Sequence, residues 1–201
     1  MSTPLDRLNA LPREEAEARL LACCGSRQWA RRLASERPFR SASDLADAAD
    51  RIWRSLLADD WLEAFAAHPR IGNAAGTGPA DLHPPPNFPG PKKGTDSFNE
   101  FCEIPKINLS PFSRWARQEQ AGTKSASPET LANLADVNHE YEERFGHIFI
   151  VCATGKSAAE MLALAESRLH NDPRTELAIA AEEQRKIMRL RLAKLLEAEG
   201  A

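Results

Sequence analysis

Helix start and stop signals recur along this chain, whereas the alternation of polar and apolar residues that is typical of half-buried strands is almost absent. Gly25 and Gly146 each follow a stretch with helical periodicity, and Ser157 with Glu160 forms a capping box at the start of another. The pattern predicts helices over about residues 8–24, 26–36, 44–57, 128–144, 157–170 and 173–197, with a further short helix that ends at His68. The expected fold class is therefore all-α, a helical bundle with the short apolar run 148–153 at its centre.

Residues 73–112 interrupt the helical pattern with a composition of their own. They hold eight of the fourteen prolines and four of the ten glycines, and the run Pro84-Pro85-Pro86 can form neither a helix nor a central strand. We interpret this segment as a Pro/Gly-rich inserted loop. The sequence thus predicts a single domain over residues 1–201, interrupted by an insertion at 73–112.

Composition narrows the class of protein. The formal net charge is -3 and the acidic and basic residues are interleaved, so the chain lacks the electrostatic footprint of a nucleic-acid-binding protein. No apolar run approaches the length that spans a bilayer, and the first residues do not resemble a secretory signal, so we expect a cytosolic protein without a membrane partner. The cysteines lack the spacing of a metal site and are interpreted as reduced, mostly buried apolar residues: Cys23, Cys24, Cys102 and Cys152.

His68 is the first candidate functional residue, because its neighbour determines where it lies. Pro69 disfavours helical geometry at the preceding residue, so the helix is expected to end at His68. At a helix C-terminus the macrodipole favours the protonated imidazolium. The alternative interpretation is a half-buried histidine that simply finishes an amphipathic helix.

Three polar residues occupy positions where helical periodicity calls for apolar ones. Asn138 lies in the middle of the apolar stripe of the helix after Pro128, and Gln184 and Arg191 lie inside the apolar sector of the last helix. A guanidinium on the core side is costly unless an anion meets it. Two interpretations of Arg191 stay open: a buried ion pair with another helix, or an arginine that binds an anionic group of a ligand.

Five segments together resemble one known family, the 2-oxo-4-hydroxy-4-carboxy-5-ureidoimidazoline (OHCU) decarboxylases of uric acid degradation. The resemblance covers nearly the whole chain except residues 73–112. The segments that carry it are His68-Pro69-Arg70-Ile71-Gly72, Glu119-Gln120, Asn138 with residues 141–146, residues 149–157, and residues 183–192.

The resemblance implies an all-helical enzyme, commonly a homodimer, that binds a small ureidoimidazoline substrate and uses neither a cofactor nor a metal. It also implies that His68 is the catalytic acid/base and that Glu119 works with it on the substrate hydroxyl. The other residues implied to contact the substrate or to support its pocket are Pro69, Ala116, Gln120, Asn138, Phe149, Ile150, Val151, Cys152, Ala153 and Arg191. For residues 149 to 153, the implied contacts are made by backbone groups.

The chemistry of decarboxylation accounts for these residue types. Loss of CO₂ leaves an electron pair that must be delocalised into an adjacent imine or carbonyl, and fixed N–H donors stabilise the charge that develops there. A positioned imidazole can then deliver a proton to one face only. The function that the resemblance implies is cofactor-free conversion of OHCU to (S)-allantoin.

Two other functions stay open: a non-catalytic helical binding or scaffold protein on the same fold, and a cofactor-free lyase or hydrolase that acts on a related ureido compound. A pocket in which His68, Glu119 and Arg191 converge would favour the enzyme. The chain also departs from the family pattern in two respects. The family commonly has serine at the position of Ala116, and it usually joins the histidine segment to the glutamate segment by a much shorter loop.

Overall fold

The computed structural model describes residues 2–72, 115–116, 118–123 and 125–198, so the predicted insertion at 73–112 lies entirely outside the described residues. The described part of the chain contains no strand, and none of its helices combines the length and the apolar character needed to cross a membrane. Its helices are α1 (Pro4–Ala10), α2 (Arg13–Cys24), α3 (Arg27–Ser35), α4 (Ala42–Arg54), α5 (Ala58–Ala66), α6 (Pro128–Phe145), α7 (Ala158–Arg168) and α8 (Pro173–Ala198), with a single 3₁₀ turn at Ala121–Thr123 before α6. The prediction of an all-α fold is confirmed.

The sequence signals mark most helix ends. The Ser127 hydroxyl accepts a hydrogen bond from the N–H of Thr130 at the start of α6, and Ser157 forms the predicted capping box at the start of α7. Gly25 and Gly146 adopt left-handed φ angles of 87° and 73° directly after α2 and α6. Capping side chains satisfy the first N–H groups of a helix, and left-handed glycines turn the chain away from its end.

The prediction of one helix over residues 8–24 is wrong, because α1 ends at Ala10 and α2 begins after Pro12. A continuous helix would require an N–H at Pro12 to donate to the carbonyl of Leu8, and proline has none. The guanidinium of Arg37 replaces the missing N–H donor. It donates to the carbonyl oxygens of Leu8 at 2.7 Å and Leu11 at 2.9 Å. These bonds satisfy carbonyls that the end of α1 leaves without helical partners.

The apolar run at the centre of the chain lies between two buried clusters. A large cluster comes mainly from α1 to α5 and α8, and a smaller one comes mainly from α6 and α7. Ile150 and Cys152 belong to the large cluster, whereas Phe149, Val151 and Ala153 belong to the smaller one. Successive side chains of an extended chain point to opposite sides, so both faces of this segment are buried and the run is apolar throughout.

Three of the four cysteines are buried free thiols, as predicted: Cys23, Cys24 and Cys152. Burial raises the pKa of Cys24 to about 12. A thiol with such a pKa stays protonated at neutral pH and is a poor nucleophile. Cys102 lies outside the described residues.

Candidate active site

His68 lies two residues beyond the end of α5, on the non-helical segment that follows. Its N–H donates to the carbonyl of Phe65 at 3.0 Å, which tightens the last turn. The helix was expected to end at His68, but its last residue is Ala66. Pro69 accounts for the interruption, because the residue before a proline is sterically driven out of the helical region.

Helix α6 holds the segment that carries His68. Asn138 donates from Nδ2 to the carbonyl oxygen of Ile71 at 2.9 Å. Arg70 forms a bidentate ion pair with Glu142, with N to O distances of 2.6 and 2.7 Å. The apolar stripe of α6 therefore contains Asn138 because its amide meets a main-chain carbonyl, which removes the cost of burying it.

Glu119 lies in the interior, where α8 supplies its partners. Its carboxylate accepts from Arg191 twice, from Nε at 3.0 Å and from Nη2 at 2.7 Å, and from Lys194 Nζ at 3.4 Å. Arg191 is 0% exposed and Glu119 is 8% exposed. The fork of the guanidinium matches the two carboxylate oxygens, which is the favourable geometry for a buried pair.

A close backbone approach fixes the turn directly after Glu119. Gly122 lies so near the segment before α7 that a Cβ added to it would be 2.0 Å from the carbonyl oxygen of Lys156. Real Cβ atoms do not approach a main-chain oxygen this closely, so only glycine fits at this position. The approach joins the Glu119 segment to the chain that leaves the central apolar run.

Main-chain groups of the central run are held by charged side chains. The guanidinium of Arg168 donates to the carbonyl of Ile150 at 2.9 Å. The N–H of Cys152 donates to the carboxylate of Glu183 at 2.8 Å, and the carbonyl of Cys152 accepts from Lys156 at 2.8 Å. The run is thus fixed between α7 and α8 by its backbone as well as by its apolar side chains.

Arg168 belongs to a buried network that joins α6, α7 and α8. Glu176 is 0% exposed and accepts from Arg168 Nε at 2.8 Å and from Asn171 Nδ2 at 2.7 Å, and its carboxylate also accepts from the hydroxyl of Tyr141. The Arg168 guanidinium also lies 4.8 Å from the centre of the Phe149 ring. Because the buried carboxylate has several donors, its burial is compensated.

These elements surround one narrow pocket. About 20 Å³ of it is open to the centre of a water molecule, which is room for about one ordered water. The predicted site residues that line it are His68, Pro69, Ala116, Glu119, Gln120, Phe149, Ile150, Val151 and Ala153. Among the described residues, no group of three or more His, Cys, Asp or Glu side chains has an arrangement that could hold a metal ion.

Three predicted site residues do not line the pocket, namely Asn138, Cys152 and Arg191. Asn138 supports the His68 segment, and Arg191 pairs with Glu119. The N–H of Cys152 donates to Glu183 and its carbonyl accepts from Lys156, and its side chain belongs to the large apolar cluster.

Three lining residues were not predicted, namely Ile71, Thr154 and Ile187. Each lies next to a segment that the sequence had marked. Ile71 follows His68 by three residues, Thr154 follows the apolar run, and Ile187 precedes Arg191 by four residues on α8 and so shares its face. These residues could have been predicted by including the next residues along each marked segment, or the residue one helical turn away.

The electrostatic environment of His68 differs from the expectation. The residue is half-buried, but its Nε2 is withdrawn from solvent. Burial and the nearby Arg191 guanidinium hold the pKa of His68 well below its usual range. The expectation that the helix terminus favours the imidazolium is therefore wrong, because desolvation and a like charge outweigh the helix dipole.

Comparison with known proteins identifies one family. The profile of the OHCU decarboxylases matches residues 9–82 and 96–193, so the match is interrupted inside the predicted insertion, over 83–95. The chain is 38% identical over 176 residues to the uric acid degradation bifunctional protein TTL of Arabidopsis thaliana, which covers 86% of this chain and 45% of that protein. It is 36% identical over 80 residues to the 2-oxo-4-hydroxy-4-carboxy-5-ureidoimidazoline decarboxylase of Amia calva, over 40% of this chain and 46% of that protein.

The chain spans about half the length of these two curated relatives. Among solved structures, a crystal structure of OHCU decarboxylase in the presence of (S)-allantoin has a TM-score of 0.65 to this chain. The two are 32% identical, and the similarity covers 90% of this chain and 98% of the other.

Proposed function

Because this chain belongs to the OHCU decarboxylase family, we propose that it catalyses the decarboxylation of OHCU to (S)-allantoin. One observation carries the proposal: His68, Glu119 and the central run 149–153 border a single pocket, and Arg191 lies directly behind Glu119. A scaffold protein would not require an imidazole and an ion-paired carboxylate to converge on a pocket. The convergence therefore favours an enzyme.

In this proposal His68 acts first as a base. Because burial and Arg191 lower the pKa of His68, its imidazole is neutral at neutral pH and can accept a proton. Glu119 lines the same pocket, and we assign it to orient the substrate hydroxyl, which loses its proton as the carbonyl of the product forms. Pro69, Ala116 and Gln120 would contact the ring of the substrate.

The electrons released by decarboxylation need an acceptor within the substrate. As the bond to CO₂ breaks, its electron pair moves toward the neighbouring carbon–nitrogen double bond, and backbone N–H groups of residues 149 to 153 would stabilise the charge. The N–H of Cys152 is excluded from this role because it donates to Glu183. His68 would then deliver the proton that it took from the substrate hydroxyl to the carbon that bears the ureido group, from one face, which sets the handedness of that carbon. The nitrogen that received the electron pair takes a proton from solvent, and the hydroxyl oxygen becomes the carbonyl oxygen of the product.

Arg191 is proposed to act on the pocket through Glu119, and a direct contact between Arg191 and the substrate stays a prediction. Asn138 is proposed to support the pocket by holding the His68 segment, on the strength of its hydrogen bond to Ile71.

We further propose a cytosolic homodimer. The buried free thiols support a reducing compartment, and the resemblance to the family supports the dimer. Light scattering coupled to size exclusion should give twice the mass of the monomer. A monomer mass at micromolar concentration would reject the dimer.

The experiment that tests the function follows allantoin by circular dichroism after the protein is added to freshly generated OHCU. We expect the signal of (S)-allantoin to appear faster than in buffer. Protonation in solution has no facial preference, so the uncatalysed product should show no net signal. A racemic product formed at the uncatalysed rate would reject the proposed function.

The alternative enzyme, a lyase or hydrolase for a related ureido compound, gives a different result. It would leave OHCU to decay at the uncatalysed rate but would turn over another ureido compound. Supplying (S)-allantoin itself and following loss of its signal distinguishes a hydrolase from the decarboxylase, because the decarboxylase should not consume its product.

A further inference from the structure

Cys152 is held through both of its main-chain polar groups, although it does not line the pocket. Its N–H donates to Glu183 Oε2 at 2.8 Å, and its carbonyl oxygen accepts from Lys156 Nζ at 2.8 Å. Each charge suits the group that it meets, because a carboxylate accepts and an ammonium donates, and hydrogen bonds to ionised groups are the strong ones. Two charged side chains therefore fix the orientation of two successive peptide groups, 151–152 and 152–153.

The peptide group before them, 150–151, is held in the same way. Arg168 Nη1 donates to the carbonyl oxygen of Ile150 at 2.9 Å, in the interior of the protein. The guanidinium is itself fixed, because its Nε donates to the buried carboxylate of Glu176 at 2.8 Å. Three consecutive peptide groups thus each have one polar group bonded to a charged side chain.

The geometry of the peptide bond determines where the other polar group of each peptide points. The peptide bonds within residues 150–153 are trans, and in a planar trans peptide the carbonyl and the N–H point in opposite directions. The carbonyl of Ile150 faces Arg168, so the N–H of Val151 points away from Arg168. By the same rule, the N–H of Ala153 points away from the lysine that holds the carbonyl before it.

These two N–H groups are available to a molecule in the pocket. Among the described residues, none accepts a hydrogen bond from the N–H of Val151 or from the N–H of Ala153. Both residues line the narrow pocket, whereas none of the three charged side chains that hold the run does so. The charged side chains and the pocket therefore lie on different sides of this stretch of main chain.

We propose that Glu183, Lys156 and Arg168 are positioning residues that aim the N–H groups of Val151 and Ala153 into the pocket, where these donors stabilise the charge released by decarboxylation. The inference rests on the proposed function. It assigns the donors within the central run and the side chains that orient them. Donors aimed in advance need no reorganisation when the charge develops, which is how fixed N–H groups lower a barrier.

Glu183 and Lys156 are the residues to change, because replacing Arg168 would strand the buried carboxylate of Glu176. Glu183→Met and Lys156→Met each remove one bond to Cys152 and keep an unbranched side chain of similar length. Glu183→Gln retains an acceptor oxygen and tests for rescue.

Glu182→Met is the matched control. Glu182 is the neighbouring carboxylate on α8 and is also ion-paired, with Arg185 at 2.6 Å. It forms this pair on the helix surface and has no bond to the central run among the described residues. The control therefore removes a paired carboxylate from the same helix without releasing a peptide group of the run.

The first test uses the wild-type protein without substrate. Hydrogen exchange of the backbone amides is followed by NMR at neutral pH. The N–H of Cys152 should exchange slowly, because Glu183 accepts it, whereas the N–H groups of Val151 and Ala153 should exchange faster because they face the pocket. Equal protection of the three amides would overturn the inference, even if no variant folds.

The second test reads the direction of the N–H bonds in the variants. Residual dipolar couplings depend on the angle of each N–H bond within the folded protein. The couplings of residues 151–153 should change in Glu183→Met and in Lys156→Met, and should keep their wild-type values in Glu182→Met. Unchanged couplings in both test variants would overturn the inference.

The third test separates positioning from a purely structural role. An interaction made only in the transition state contributes to kcat and to kcat/KM equally. Glu183→Met and Lys156→Met should therefore lower both constants for OHCU by the same factor, about 10-fold or more, since removing a donor outright costs about 10²–10³. Glu183→Gln should recover most of the loss, and Glu182→Met should retain the wild-type kcat.

The kinetic outcomes also distinguish this inference from the proposed function. Changed couplings with a wild-type kcat would overturn the positioning role, and so would a raised KM at unchanged kcat, because the donors would then act on the bound substrate alone. If the wild-type protein does not decarboxylate OHCU, changed couplings in the variants would retain the orienting bonds and reject the proposed function.

Discussion

Arg191 and Glu119 form a buried bidentate ion pair, with Nε to Oε1 at 3.0 Å and Nη2 to Oε2 at 2.7 Å. Of the two interpretations that the sequence left open for Arg191, the structure therefore contains the ion pair. Its partner is not an arbitrary acidic residue of another helix but a carboxylate that lines the candidate active site. One contact thus connects the stability of the interior with the chemistry proposed for the pocket.

Arg191→Met should destabilise the fold. It would leave the Glu119 carboxylate buried with Lys194 as its remaining cation in this cluster, and breaking a buried pair costs about 3–5 kcal/mol. Urea denaturation followed by circular dichroism measures the loss. The double variant Arg191→Met with Glu119→Gln should recover part of it, since no charge is then stranded. An unchanged unfolding midpoint in Arg191→Met would show that the pair does not stabilise the protein.

His68→Asn should lower the rate of OHCU decarboxylation by about 10²-fold or more, the contribution typical of a general acid/base. Its melting temperature should change little, because asparagine keeps a polar side chain of smaller volume at this half-buried position. His139→Asn, on the exposed face of α6, is the control and should retain full activity. Near-normal turnover by His68→Asn would remove His68 from the mechanism.

The pH dependence of stability should also report on His68. The folded-state pKa is lowered, so as pH falls through about 6.5 the unfolded chain binds a proton that the folded protein does not. The free energy of unfolding then falls by up to about 1.4 kcal/mol per pH unit from this residue, until the folded pKa is reached. This loss should be absent in His68→Asn.

The comparison isolates His68 because, among the described histidines, the other one with a lowered pKa is present in both proteins. Burial also lowers the pKa of His147, which contributes with the same sign in the wild type and in the variant. Stability is measured by urea denaturation at several values between pH 7 and about 5. Identical slopes for the wild type and His68→Asn would show that His68 is not held neutral by the fold.

Gly122→Ala should disturb the Glu119 segment. The new Cβ would meet the Lys156 carbonyl oxygen at 2.0 Å, and main chain cannot yield as a flexible side chain can. We expect a loss of about 1–3 kcal/mol, the cost of overpacking, together with a lower kcat because Glu119 moves. Ala121→Ser, at an exposed neighbouring position, should change neither quantity. Wild-type stability and kcat in Gly122→Ala would show that the turn has room to shift.

Replacing residues 83–95 with a short Gly/Ser linker should leave folding intact. The family profile does not match these residues, and they lie inside the insertion predicted to interrupt a single domain. Loop-closure entropy changes slowly with length, so shortening the connection has a small thermodynamic effect. Helical circular dichroism and a single cooperative unfolding transition are expected. Loss of the helical signal would show that this segment is required for the fold.

Local signals were enough to predict most of the fold. The caps at Ser127 and Ser157 and the glycine at 146 mark helix ends because they act on hydrogen bonds within a few residues. The sequence does not predict the split between α1 and α2, because a proline such as Pro12 is compatible with the first turn of a helix. The decisive contact, between Arg37 and Leu8, joins residues 29 positions apart.

Contacts between residues far apart in the sequence also limit how much of the site can be predicted. Helical periodicity indicates that Arg191 needs an anion, but it cannot select Glu119 among 29 acidic residues, since the two are 72 positions apart. The helix dipole at His68 is a local effect and could be anticipated, whereas the burial and the nearby guanidinium that overcome it arise from tertiary packing. The sequence indicates which residue types form the site, but the direction of a pKa shift depends on the tertiary environment of the group.

Asn138 on α6 supports the segment that carries His68, and Arg191 on α8 supports Glu119. The two supports therefore lie on helices that come after both site residues in the chain, and the packing of α6 and α8 contributes to the spacing between His68 and Glu119. Those two residues are separated by fifty intervening positions in the chain, which include the whole predicted insertion. Lengthening or shortening that connection leaves the spacing of the supports unchanged, so the dimensions of the site are independent of the chain that joins its two halves.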